Sequence, residues 1–107
     1  MSRSKVIWRD SATEDLRQAA LYYEREGGLL LARRFLHAAE STARRAADNP
    51  RAGATRYGAL LGITGLRTWR VQRFPYLVFY VENATQIEIR RVLHTRRDLL
   101  AELDEDD

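Results

Sequence analysis

The chain has 107 residues, of which 45% are hydrophobic and 31% charged, with no cysteine and a formal charge of +3. That length supports one core and no second domain, the hydrophobic fraction excludes a disordered chain, and the lack of cysteine excludes disulfides and thiolate metal sites. With no apolar run near the roughly 20 residues of a membrane span and no signal-peptide core before Arg9, the expectation is a single cytoplasmic domain over 1–107 with no membrane partner.

The β-branched and aromatic run at 5–8 predicts an opening strand. Ser11-Ala-Thr-Glu14 then matches a capping box, and Ala12, Leu16, Ala19, Ala20 and Tyr23 recur on one helical face until Gly27-Gly28 stops the helix. A second helix is expected over 29–48, with Ala32, Phe35, Leu36, Ala39, Ala43 and Ala46 on one stripe and Asn49-Pro50 as its end. Two helices joined by two glycines make an antiparallel hairpin, and Tyr22, Tyr23 and Phe35 are its bulky core or edge residues. Residues 51–65 carry four glycines and read as a loop with at most a brief turn at 59–61. A strand follows these glycines, which excludes a phosphate-binding loop.

Three strands come next, over 66–74, 76–82 and 86–93, with connections short enough to force a meander. The middle strand is apolar at every position from Tyr76 to Val81, so both its faces should be covered. Ile87 and Ile89 share a face but Val92 falls out of phase, which predicts a bulge near Arg90-Arg91. One or two helical turns at 99–103 precede the acidic end. The fold class is therefore α+β: an N-terminal strand, an antiparallel helical hairpin packed on a small antiparallel meander sheet, and a short C-terminal helix.

The distribution of charge says more than its sum. Residues 49–97 hold nine arginines against two carboxylates, residues 98–107 hold six carboxylates and no base, and Lys5 is the only lysine in the chain. Arginine at this density suits forked contacts to carboxylate or phosphate. No carboxylate pair is placed for acid–base work, and His37 and His94 lack ligand spacing, so neither a metal nor a cofactor is expected. His37 reads as a helix-surface residue, and His94 as a strand-end histidine bonded to Asp98 or to backbone. Alternation puts Arg67, Trp69, Val71 and Arg73 on one strand face, with Arg90, Arg91, Arg96 and Arg97 following the third meander strand. Together they predict a cationic surface for an acidic partner, or for nucleic-acid phosphates if the chain is a small basic binding module.

The stretch from Gly65 to Val71 (GLRTWRV), the run from Phe74 to Val81 (FPYLVFYV) and the ending from Ile89 to Asp98 (IRRVLHTRRD) occur in an order that resembles the RelE/ParE toxins of type II toxin–antitoxin systems, the ParE branch above all. The resemblance spans about residues 5–100. It implies a toxin that inhibits DNA gyrase without being an enzyme and is neutralised in a hetero-oligomer by a cognate ParD-like antitoxin with an acidic C-terminal segment. DNA is met only indirectly, through that antitoxin. The alternative is a RelE-like ribosome-dependent mRNA endonuclease, for which Arg70, Arg73, Arg91 and His94 would form the catalytic cluster. Such nucleases often carry an aromatic residue near the C-terminus, whereas here none follows Tyr80. The residues expected to bind antitoxin or target are Arg67, Trp69, Arg70, Arg73, Tyr80, Arg90, Arg91, His94, Arg96 and Arg97, with Trp69, Tyr76 or Tyr80 as apolar anchors. The acidic tail at 98–107 would partly screen them in the free protein.

Overall fold

The structure, a computed structural model, describes residues 4–97 and 99–106, the last three through their backbone alone. Its elements are β1 (Lys5–Trp8), α1 (Asp10–Gly27), α2 (Leu29–Asp48), α3 (Arg56–Leu61), β2 (Leu66–Arg70), β3 (Tyr76–Asn83), β4 (Gln86–His94) and α4 (Leu99–Asp106). The four strands form one sheet in the order β1-β4-β3-β2. The meander is antiparallel as expected, while β1 joins the outer side of β4 in parallel, so the sheet as a whole is mixed. Among the described residues no helix is long and apolar enough to cross a membrane.

Both faces of the sheet are covered. Val78 and Tyr80 of β3, with Ile87 and Ile89 of β4, pack under the α1–α2 hairpin against Phe35 and the small residues Ala12, Ala19, Ala43 and Ala46. Phe79 points the other way and joins Leu66 and Leu93 beneath Leu99 and Leu103 of α4, with Tyr57 and Leu61 of α3 packed alongside. That division explains the unbroken apolar run of β3: alternate residues serve two cores. Each fully buried large side chain contributes about 1.5–3 kcal/mol.

The second helix has the predicted bounds, and Gly28 alone, at φ 88°, turns the chain between the two helices. The start of α1 differs from expectation. It begins at Asp10 with no side-chain cap, and Ser11 instead donates its hydroxyl to Arg90 O at 3.1 Å. The reason lies in the sheet. β1 ends opposite Ile89, so beyond that point the outer edge of β4 has no strand partner. Helix α1 supplies one, through Ser11 on Arg90 O and through Asp15, whose Oδ2 accepts from Val92 N at 2.9 Å. The predicted bulge is here: Phe79 faces Arg91 and Tyr80 faces Ile89, leaving Arg90 as the extra residue.

Three other boundaries move. A six-residue helix, α3, stands where a loop with a turn was expected, because Gly58 is needed for contact: a Cβ there would lie 2.6 Å from Leu66 O. Strand β2 stops at Arg70, and Val71 N bonds to Tyr76 O at 2.9 Å across a turn that holds Arg73 at φ 72°. Finally, α4 is a packed helix, with Leu99 and Leu103 buried in the second core. The expected screening by Asp104 to Asp107 falls outside the described side chains. Glu102, by contrast, pairs with both Arg91 and Arg97.

Candidate functional site

Cationic side chains gather in two grooves on opposite flanks of the helical hairpin, with an aromatic cluster between them. Phe35, Tyr23, Phe74 and Tyr76 stack with ring centroids 5.0–6.2 Å apart, and the Tyr76 ring continues to the His94 imidazole at 5.2 Å. Burial pushes the Tyr23 phenol up to about 12 and raises Tyr76 as well, so both remain neutral donors.

The first groove, of about 490 Å³, lies between α1 and the end of β4 and brings together His94, Arg96, Arg97, Arg25, Tyr22 and Tyr76. Three of the expected binding residues therefore do meet. His94 Nδ1 accepts from Arg96 N at 3.0 Å, which leaves the proton of the neutral ring on Nε2 and bears out the backbone-bonded reading; Asp98 lies outside the described residues. Burial, followed by the Arg96 and Arg97 charges, lowers the His94 pKa below its ordinary 6.5. Between the lowered value and 6.5 the unfolded chain binds the extra proton, so stability is complete above 6.5 and is lost as pH falls toward the folded value. Thermal melts of the protein and of His94→Gln from about pH 7 to pH 5.5 test this: the midpoint falls with pH, and the variant falls less. Equal slopes would contradict it.

The second groove, of about 690 Å³, runs between α2 and the turn after β2, where Arg73 faces Arg33, Arg34, His37 and Arg45. Strand alternation predicts Arg73 on a sheet face, and the periodicity of α2 leaves Arg33, Arg34, Arg44 and Arg45 mostly off its apolar stripe. A signal was available, since Arg34, Ser41 and Arg45 recur on one side of α2.

The other expected residues are placed elsewhere, and the single arginine-lined face is not assembled. Tyr80 is a correction: it is 0% exposed, so it offers no docking anchor. Its hydroxyl donates to Pro50 O at 2.8 Å and accepts from Trp69 Nε1 at 3.0 Å. Strand alternation turns Arg67 to the same side, where its Nη1 donates to Gly53 O at 3.0 Å. Arg91 is a second correction. Its side chain, 13% exposed, makes a two-pronged ion pair with Asp15 at 2.8 and 2.9 Å and is committed to the fold. Arg90 pairs with Glu88 at 2.9 Å, and Arg70 is exposed at the end of β2. Of the four residues a ribonuclease would use, Arg73 and His94 line different grooves and Arg91 is held by Asp15. Among the described residues no group of three or more His, Asp or Glu is placed to hold a metal ion.

A helical hairpin on a four-stranded sheet with basic grooves beside it makes a small α+β binding domain. The family model described as the ParE toxin of the type II toxin–antitoxin system parDE matches residues 6–99, and the chain belongs to that family. Among solved structures, the chromosomal ParDE toxin–antitoxin system from P. aeruginosa includes a chain of the same fold, with a TM-score of 0.75 at 18% identity over 88% of this chain and 98% of that one. No curated protein sequence matches significantly.

Proposed function

We propose that this toxin inhibits DNA gyrase by protein contact, without catalysis of its own, and that a ParD-like antitoxin with an acidic segment neutralises it by covering the basic surfaces beside the hairpin. The observation that carries the reading is the separation of Arg73 from His94 by the aromatic cluster, with Arg91 engaged by Asp15. Such an arrangement presents two binding grooves and does not concentrate acid, base and cation around one scissile bond. Membership of the ParE family supports the gyrase target. On this reading Arg70, Arg73, His94, Arg96 and Arg97 are the contact residues, with Trp69 and Tyr80 holding the sheet that carries them.

A supercoiling assay with purified gyrase tests it. Excess toxin should block supercoiling or accumulate cleaved DNA, and prior mixing with the antitoxin from the neighbouring reading frame should restore activity. Intact gyrase activity at excess toxin, together with mRNA cleavage on translating ribosomes, would replace this reading with the endonuclease one.

A further inference from the structure

The α2 groove carries a charge pattern of which the gyrase reading uses only Arg73. Arg33, Arg34, Arg45 and Arg73 are all exposed, and none lies within ion-pair distance of a described carboxylate. Several arginines elsewhere are paired: Arg17 with Glu14, Arg51 with Glu82, Arg90 with Glu88, Arg91 with Asp15 and Arg97 with Glu102. Among the described residues, no acidic one lines the groove.

Arg73 adds a second, independent observation. It is a non-glycine residue held at φ 72°, a left-handed conformation that glycine or asparagine would occupy more easily. The turn places this guanidinium opposite the α2 row, across the groove from Arg34 and Arg45. Eleven residues separate Arg34 from Arg45, so the row runs for about 16 Å along the helix, the axial length of about five base steps of duplex DNA.

We propose that this groove grips the phosphate backbone of duplex DNA directly, with Arg34, Arg45 and Arg73 as the principal phosphate contacts. The exposed side chains along the groove are charged or polar, Ser41 and Gln72 included, above an apolar floor to which the partly exposed Leu31, Ala38 and Phe74 contribute. A polyanion needs an unneutralised row of forked donors, and the groove carries one above its apolar floor. The inference goes beyond the expected indirect contact through an antitoxin and stands on the groove independently of the gyrase target.

Fluorescence anisotropy of a labelled duplex of about 20 base pairs with the purified full chain, without gyrase, tests it across about 50 to 200 mM salt. With Arg33 as a fourth phosphate contact, the groove predicts a log–log salt slope of about −3.6. The triple variant Arg34→Gln, Arg45→Gln, Arg73→Gly removes three guanidinium groups and relieves the left-handed strain. It should lose more than roughly 30-fold in affinity at low salt, with the slope falling by about one per arginine removed. The triple variant Arg17→Gln, Arg51→Gln, Arg56→Gln carries the same charge change elsewhere and should lose less than about 3-fold. Equal losses in the two triples would reduce the effect to net charge and overturn the proposal. So would the absence of DNA binding at low salt, or a groove that binds a polyglutamate peptide and not DNA. Failure of the gyrase reading would appear separately, in the supercoiling assay, whichever way this one falls.

Discussion

Replacing Asp15 with alanine lowers the unfolding free energy by about 3 kcal/mol and the melting midpoint by on the order of 15 °C, a large share of the 5–15 kcal/mol typical of a domain. Its carboxylate, 11% exposed, accepts from Arg91 Nε at 2.8 Å, Arg91 Nη2 at 2.9 Å and Val92 N at 2.9 Å. One side chain of α1 thus closes the free edge of β4 and holds its buried cation. The same guanidinium donates to Glu102 O at 3.3 Å, so the pair also ties the hairpin side of the sheet to α4. Without Asp15 the cation loses its closest carboxylate in a place that water reaches poorly, and Val92 N loses its acceptor. The double variant Asp15→Ala, Arg91→Met should cost clearly less than the sum of its two single changes, because no buried charge is then left to desolvate. Urea titrations of the four proteins measure this. A single Asp15→Ala variant within about 3 °C of the parent would show that the edge of β4 is held by other contacts.

What the sequence reveals of this fold depends on how local the cause is. The bounds of α2 follow from Gly28 and Asn49-Pro50, residues that act on their own neighbourhood. The bulge at Arg90 follows from a phase change within five residues. Ser11, however, matches a cap only if its hydroxyl has nothing better to bond, and the better acceptor, Arg90 O, lies 79 residues away. Arg91 is the same case: as a strand residue among arginines it reads as surface charge until α1 brings Asp15 to it from 76 residues away. Gly58 reads as a breaker because its function, room for Leu66 O, is a tertiary contact. The groove beside the α2 arginines is not legible from α2 alone because its other wall, Arg73 and Phe74, arrives from the turn after β2. Local punctuation was legible, while the partners of polar side chains were not, and those partners decide which arginines remain available for a ligand.

Tyr80 is the case where a polar atom hides inside an apolar run, and Gly53→Ala is its most sensitive probe. A Cβ on Gly53 would overlap the Tyr80 hydroxyl and come within 3.0 Å of Tyr80 Cζ and Arg67 Cβ. The ring cannot retreat: it is fully buried, its hydroxyl is fixed between Pro50 O and Trp69 Nε1, and burial keeps that phenol protonated by raising its pKa. The segment around Gly53 must move instead, and with it go the Arg67 bond to Gly53 O and the Ala54–Thr68 bridge that covers the edge of β2. Overpacking and lost hydrogen bonds together cost about 3 kcal/mol. Tyr80→Phe alone costs about 2 kcal/mol, since Trp69 Nε1 and Pro50 O both lose their partner. Combined, the two changes partly relieve each other, because the phenylalanine lacks the atom that the alanine methyl meets. The double variant should therefore be at least about 1 kcal/mol more stable than the sum of the singles predicts. Denaturant titrations followed by tryptophan fluorescence and by far-UV signal read the coupling; strict additivity would mean that Gly53 is required by backbone conformation and not by the hydroxyl of Tyr80.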